Sequence, residues 1–128
     1  MSLLVPISVG ELLDKISILE LKAEAICDPA KRANVLHELA ALRAIRQREV
    51  AVSAELDALC AELHQVNRQI WEVEDELRAH ERGGVFDRAF VILARSVYRN
   101  NDHRAAVKRR INELTGSDLV EEKSYAGV

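Results

Sequence analysis

No glycine or proline interrupts the chain between Ala30 and Arg82. Proline breaks helical hydrogen bonding and glycine weakens a helix, so a stretch this long without either points to helix. At 1.5 Å per residue it supplies about 75–80 Å of helix. Its second half carries Val52, Leu56, Leu59, Leu63, Val66, Ile70, Val73 and Leu77 in strict four-three alternation. That spacing holds apolar side chains on one stripe and predicts a coiled-coil-like seam. The first half carries Val35, Leu39, Leu42 and Ile45, which take two consecutive steps of three, and Glu49 stands where the later register expects an apolar residue. The stretch from Arg46 to Glu49 is therefore a register slip or a break, and one bent helix over about 29–82 is favoured over two helices.

Stop and start signals flank this segment. Ser8 followed three residues later by Glu11 forms a capping box that opens a helix over about 8–27, with Leu12, Ile16, Leu19, Ala23 and Ile26 on one stripe. Asp28 and Pro29 suit the cap and first turn of the next helix. In "ERGGVFD", Gly83 is expected to take a left-handed cap, and Asp87 to open a helix over about 87–115 that ends at Gly116. Phe86, Phe90, Leu93 and Val97, then Val107, Ile111 and Leu114, form its stripe. With 2 prolines, 5 glycines and 4% aromatic residues in 128, the fold class is all-α with an aliphatic core. The expected architecture is a long antiparallel, coiled-coil-like helical hairpin in one domain, 1–116, followed by a polar tail, 117–128. Two-helix layers bury little surface, and Leu13, Ile18 and Trp71 lie off the stripes. Homodimerisation is therefore expected to complete the bundle.

A formal net charge of −3 gives no electrostatic reason for a nucleic-acid or anionic-membrane partner. The apolar start "MSLLVPISV" lacks a basic leader region and falls short of the ~20 apolar residues of a membrane span. A cytoplasmic location is expected. Cys27 and Cys60 match no CxxC or zinc spacing, which favours free thiols. His37, His64, His80 and His103 lack ligand spacing, and no Gly-rich phosphate loop is present.

Chemistry has one candidate location. The last helix places Asn100 and Arg104 where its stripe expects apolar residues, and closing the hairpin near Gly84 sets them opposite His64, Asn67 and Arg68, with Trp71 beside Val97 and Tyr98. The candidate interhelical polar site comprises His64, Asn67, Trp71, Glu74, Asp75, Tyr98, Asn100, Asn101, Asp102, Arg104 and Lys108. Buried polar groups must pair, so the favoured reading is a satisfied layer that sets helix register, with no cofactor. The alternative is a ligand-binding or catalytic cleft. Two ExxD pairs, Glu11 with Asp14 and Glu72 with Asp75, have oxygen ligands suited to Mg²⁺ in the manner of all-α MazG-type pyrophosphohydrolases, although their upstream ExxE element is missing. Arg43, Arg46, Arg104 and Lys108 suggest a dicarboxylate cavity of the chorismate mutase kind. The run Lys108–Arg110 is expected to pair within the chain.

"ISVGELLDKISILELKAEAI", "ELHQVNRQIWEVEDEL", "VYRNNDHRAAVKRRINEL" and "EEKSYA" together resemble a family of short bacterial proteins known only as a domain of unknown function. The resemblance runs from Ile7 to Ala126. Its defining positions include Gly10, Glu11, Asp14 and Lys15, then Asn67, Trp71, Glu74 and Asp75, then Tyr98, Asn101, Asp102, Arg104 and Lys108. It implies no established activity, and it suggests a link to surface-carbohydrate assembly. The expected function is a protein–protein interaction or scaffold module with an unidentified protein partner.

Overall fold

A computed structural model of the chain describes residues 1–125 and contains four helices, with no strand among the described residues. They are α1 (Val9–Ala25), α2 (Pro29–Glu49), α3 (Ala54–Gly83) and α4 (Arg88–Thr115). Each begins at a residue whose side chain satisfies an orphan backbone donor. Ser8 accepts from Glu11 N, Asp28 from Lys31 N, Ser53 from Leu56 N and Asp87 from Phe90 N. The capping box of α1 is only half formed, because the Glu11 carboxylate reaches Lys108 instead of turning back on Ser8. Gly84, one residue later than expected, takes the left-handed conformation that ends α3, and Gly116 does the same for α4.

The expected single helix over 29–82 is two helices. Val50 turns to extended backbone, the chain stays non-helical to Ser53, and Val52 stands exposed rather than on the seam. Two causes act together. Ser53, with Glu55 and Asp57 in the first turn behind it, is a complete helix start. The register slip also turns the two apolar stripes in different directions, and both must reach α1. A break satisfies both stripes, whereas a gentle bend does not.

α1 is the centre of the fold. It packs against α2, α3 and α4, while α3 and α4 pack along each other, with His80 against Phe90 near their turn and Glu62 bonded to His103 and Arg110 further on. The core joins Leu12, Leu13, Ile16 and Leu19 of α1 to Val35, Leu39, Leu56, Leu63, Val107 and Ile111. Leu13 is buried within this one chain, so it needs no second copy to cover it. This overturns one reason for expecting a dimer. α1 carries two inward stripes. The apolar one runs through Leu12, Ile16 and Leu19. The other, Gly10, Asp14, Ser17 and Leu21, also keeps helical spacing and is also buried. A helix buried on more than one side cannot be read as a simple amphipath.

On α3, Leu56, Leu63 and Val66 of the inner half are buried. Further out, Ile70, Val73 and Leu77 are only half-buried, and Phe86, Val91 and Ile92 near the α3–α4 turn are exposed.

Candidate functional site

The second stripe of α1 meets polar stripes from α3 and α4. On α4, Arg104, Lys108 and Asn112 recur every four residues and face α1, while Val107 and Ile111 face the core. On α3, His64 and Asn67 share a face. Asp14, only 1% exposed, is the hub. Its Oδ1 accepts from Asn67 Nδ2 at 2.9 Å and from Arg104 Nε at 3.0 Å. Its Oδ2 accepts from Arg104 Nε at 3.1 Å and from Arg104 Nη2, and Lys108 Nζ stands 3.6 Å away. The planar guanidinium grips the carboxylate in the two-pronged geometry that makes such pairs strong.

Asn67 Nδ2 also donates to Ser17 Oγ at 3.1 Å, and Ser17 Oγ lies 2.9 Å from His64 Nδ1. The hydroxyl donates there when His64 carries its proton on Nε2. Lys108 Nζ donates to Glu11 at 2.7 Å and to Glu121 at 2.8 Å. Beyond it, Asn112 Oδ1 accepts from Gly10 N at 2.7 Å, and Ser117 Oγ accepts from Val9 N at 3.2 Å. Three carboxylates, Glu11, Asp14 and Glu121, thus meet two cations, Arg104 and Lys108. The Asp14 hydrogen bonds raise the Arg104 pKa against the pull of burial. For Lys108, burial alone lowers the pKa, but the bonds to Glu11 and Glu121 and the field of Asp14 outweigh it, so the net direction is upward. Both groups are held charged.

Gly10 makes this crossing possible. A Cβ there would lie 2.7 Å from the Lys108 carbonyl oxygen and 3.0 Å from Asn112 Oδ1. Only the absence of a side chain lets α1 approach the α4 backbone so closely.

The expected candidates divide. His64, Asn67, Arg104 and Lys108 come together, but they meet around Asp14 of α1 and not directly across the α3–α4 hairpin. Tyr98, Asn101 and Asp102 line a groove of about 840 Å³ that also opens onto Arg104 and Lys108. Trp71 lies elsewhere, in a smaller groove of about 240 Å³ beside Leu21, Glu24 and Arg68 of the α1–α3 contact. Glu74 stands 3.9 Å from Arg78, Asp75 is exposed, and Asn100 is half-buried. Trp71 was placed wrongly because α1 takes the side of α3 on which it sits, and sequence spacing could not say so.

The side chains behind the two enzyme analogies lie apart or are already paired. Glu11 and Asp14 are engaged by Lys108 and Arg104, whereas Glu72 lines the Trp71 groove and Asp75 faces outward. No group of three or more His, Cys, Asp or Glu side chains among the described residues is placed to hold a metal ion. Arg43 pairs with Glu20, and Arg46 contacts the Cys60 sulfur, both on the α2 side of the fold, so they share no cavity with Arg104 and Lys108. The basic run is paired: Lys108 with Glu11 and Glu121, Arg109 with Glu122, Arg110 with Glu62. Glu62 is held below the usual carboxylate range, first by His103 and then by Arg110.

Ser17, Asn112 and Glu121 were missed as members of the cluster. The Gly10–Asp14–Ser17–Leu21 spacing was a usable signal for Ser17. The Arg104–Lys108–Asn112 spacing was one for Asn112. The non-helical tail offered none for Glu121. In the polar tail, Glu121, Glu122 and Lys123 pair with α4 of the same chain, and its last residues, 126–128, lie outside the described residues.

Every buried side-chain nitrogen and oxygen among the described residues has a hydrogen-bond partner. The Asp14 cluster is chemically closed, because its carboxylate is saturated by donors and cannot act as a free base. Burial raises the Cys60 thiol pKa, more than the nearby Arg46 lowers it. Cys60 is therefore a poor nucleophile at neutral pH, whereas Cys27 is exposed. Iodoacetamide near pH 7.5 is expected to label Cys27 first. Mass spectrometry of Cys27→Ser should show slow labelling at Cys60 that quickens as pH rises, and fast labelling would contradict the burial.

The profile of a family of unknown function, DUF6165, matches residues 3–128, and the chain belongs to that family. No curated protein and no solved structure matches it. No helix among the described residues is long and apolar enough to cross a membrane.

Proposed function

We propose that the chain is a homodimeric protein–protein interaction module whose Asp14 cluster is a structural lock. In this reading α3 and α4 form an antiparallel, coiled-coil-like hairpin. α1 clamps its inner half, and its outer half is the self-association surface. The observation that carries the reading is the pattern of charge on that outer half. On α3, Glu72, Asp75, Glu76 and Glu81 have no ion-pair partner among the described residues. On α4, Arg88, Arg95 and Arg99 have none either. Between these unspent charges, Val85, Phe86, Val91 and Ile92 are 46–58% exposed.

A two-fold axis sets the acidic helix of one copy against the basic helix of the other, which is the self-complementarity an isologous interface requires. The exposed apolar residues then supply its desolvated centre. The two free thiols support a reducing, cytoplasmic setting.

Sedimentation velocity at micromolar concentration tests this. The wild type is expected to sediment as a dimer that weakens as salt rises, because screening shortens the reach of the charge pairs. Ile92→Glu is expected to weaken dimerisation at least tenfold, roughly 1.4 kcal/mol, without changing the melting of the monomer fold. A compact wild-type monomer throughout this range ends the proposal.

A further inference from the structure

The segment after α4 ends in side-chain contacts only. Ser117 N donates to Asn112 O, Leu119 O accepts from Ser117 Oγ, and no backbone–backbone hydrogen bond is made from residue 118 onward among the described residues. The strand of chain from Glu121 to Tyr125 is tied down by Glu121 on Lys108, Glu122 on Arg109 and Lys123 on Asp102. The tail carboxylates of the first two pairs are more than half exposed; the Arg109–Glu122 pair, exposed on both sides, holds weakly, and Glu121 reaches the buried Lys108 from solvent. The segment itself forms one side of a groove of about 840 Å³, and Tyr98, Arg104 and Lys108 line it from α4. Lys108 is a built cation, its side chain only 7% exposed and fixed by Glu11 and Asp14. Its remaining donor points to Glu121, a carboxylate on a displaceable strap.

We propose that this groove is a binding site for a small aromatic carboxylate, and that Glu121 occupies the seat of the ligand carboxylate when the site is free. Charge selects the ligand class. Without Glu121, Arg104 and Lys108 balance Glu11 and Asp14, so a monoanion restores the free-state charge. A phosphate dianion would add a further uncompensated charge at a half-buried position. The tyrosine walls suit a ring, which stacks on or tilts against them. Binding displaces the Glu121 carboxylate from Lys108 while Tyr125 stays against the ring, so that occupancy is coupled to the position of the C-terminal segment.

The tethered carboxylate competes at an effective concentration in the millimolar range or above, and its removal unmasks the site. NMR titration of the full-length chain with benzoate, with neutral benzamide and with phenyl phosphate tests this. Benzoate is expected to bind Glu121→Gln at least tenfold more tightly than wild type, shifting the Tyr98, Lys108 and Tyr125 signals. In wild type, benzoate is expected to shift the Glu121 and Glu122 signals as the carboxylate leaves Lys108. Melting of Glu121→Gln is expected to match wild type, because the carboxylate is largely exposed. Four results overturn the proposal: no benzoate binding to either protein at about 10 mM, where a ligand of millimolar affinity saturates its site; equal affinity for the two proteins; binding of benzamide or phenyl phosphate as tight as benzoate; or shifts confined to residues outside the groove.

Discussion

Asp14→Ala is expected to destabilise the fold by about 3–5 kcal/mol, because it strands the Arg104 cation, removes one of the charges facing Lys108 and leaves one Asn67 amide hydrogen unpaired at a buried crossing of three helices. Native domains retain only about 5–15 kcal/mol in all. The melting temperature should fall on the order of 10–20 °C. The cost arises from the orphaned partners more than from the lost attraction, and this sets a second expectation. Asp14→Leu combined with Arg104→Met is expected to be more stable than Asp14→Ala, because the pair leaves together and apolar groups fill the space. Chemical denaturation of the single and double variants measures both effects. A loss below about 1 kcal/mol for Asp14→Ala would place this carboxylate among weak surface pairs and would remove the lock.

Gly10→Ala is expected to destabilise by about 2–4 kcal/mol, the reverse of its usual sign. Within a helix, alanine ordinarily stabilises over glycine by about 0.5–1 kcal/mol. Here the new methyl would meet the Lys108 carbonyl at 2.7 Å and push α1 off α4. Overpacking costs about 1–3 kcal/mol, and the Gly10 N bond to Asn112 adds about 0.5–1.5 kcal/mol when stretched or lost. Thermal melting checks the sign directly. A stabilised Gly10→Ala would mean that the two helices do not approach as closely as described.

Local signals made much of the fold legible. Asp28 with Pro29, Ser8, Asp87 and Gly116 mark helix ends because each acts on its own backbone within one turn. The stripe through Leu56, Leu63 and Val66 is likewise a property of one helix. The break at residues 50–53 was not legible in the same way. Ser53, Glu55 and Asp57 are a helix start, but the absence of glycine and proline argued for continuity, and the decision lay with α1, which both stripes had to reach.

The candidate site was half legible for a related reason. Asn67, Arg104 and Lys108 stood out as polar residues on amphipathic faces, and the structure joins them. Their common partner, Asp14, stood out as an acidic candidate ligand and as a position of the family resemblance but not as a member of the polar layer, because its own helix carries a second buried stripe that a single-stripe reading passes over. Trp71 and Asp75 also stood out and are not part of the cluster. Periodicity assigns a residue to a face of its own helix but does not say which neighbour covers that face.

By itself, then, the sequence determined the all-helical class, the helix ends other than those at the break over 50–53 and the α3 cap, and the presence of polar residues that packing alone does not require. Those follow from hydrogen bonding and side-chain spacing within a few residues. Only the tertiary structure decided that α1 lies at the centre, that Gly10 lets it touch α4, and that Asp14, Asn67, Arg104, Lys108 and Glu121 form one charged cluster. These residues are separated by up to about a hundred positions, and only the packing of whole helices, driven by the common core, brings them within hydrogen-bond reach.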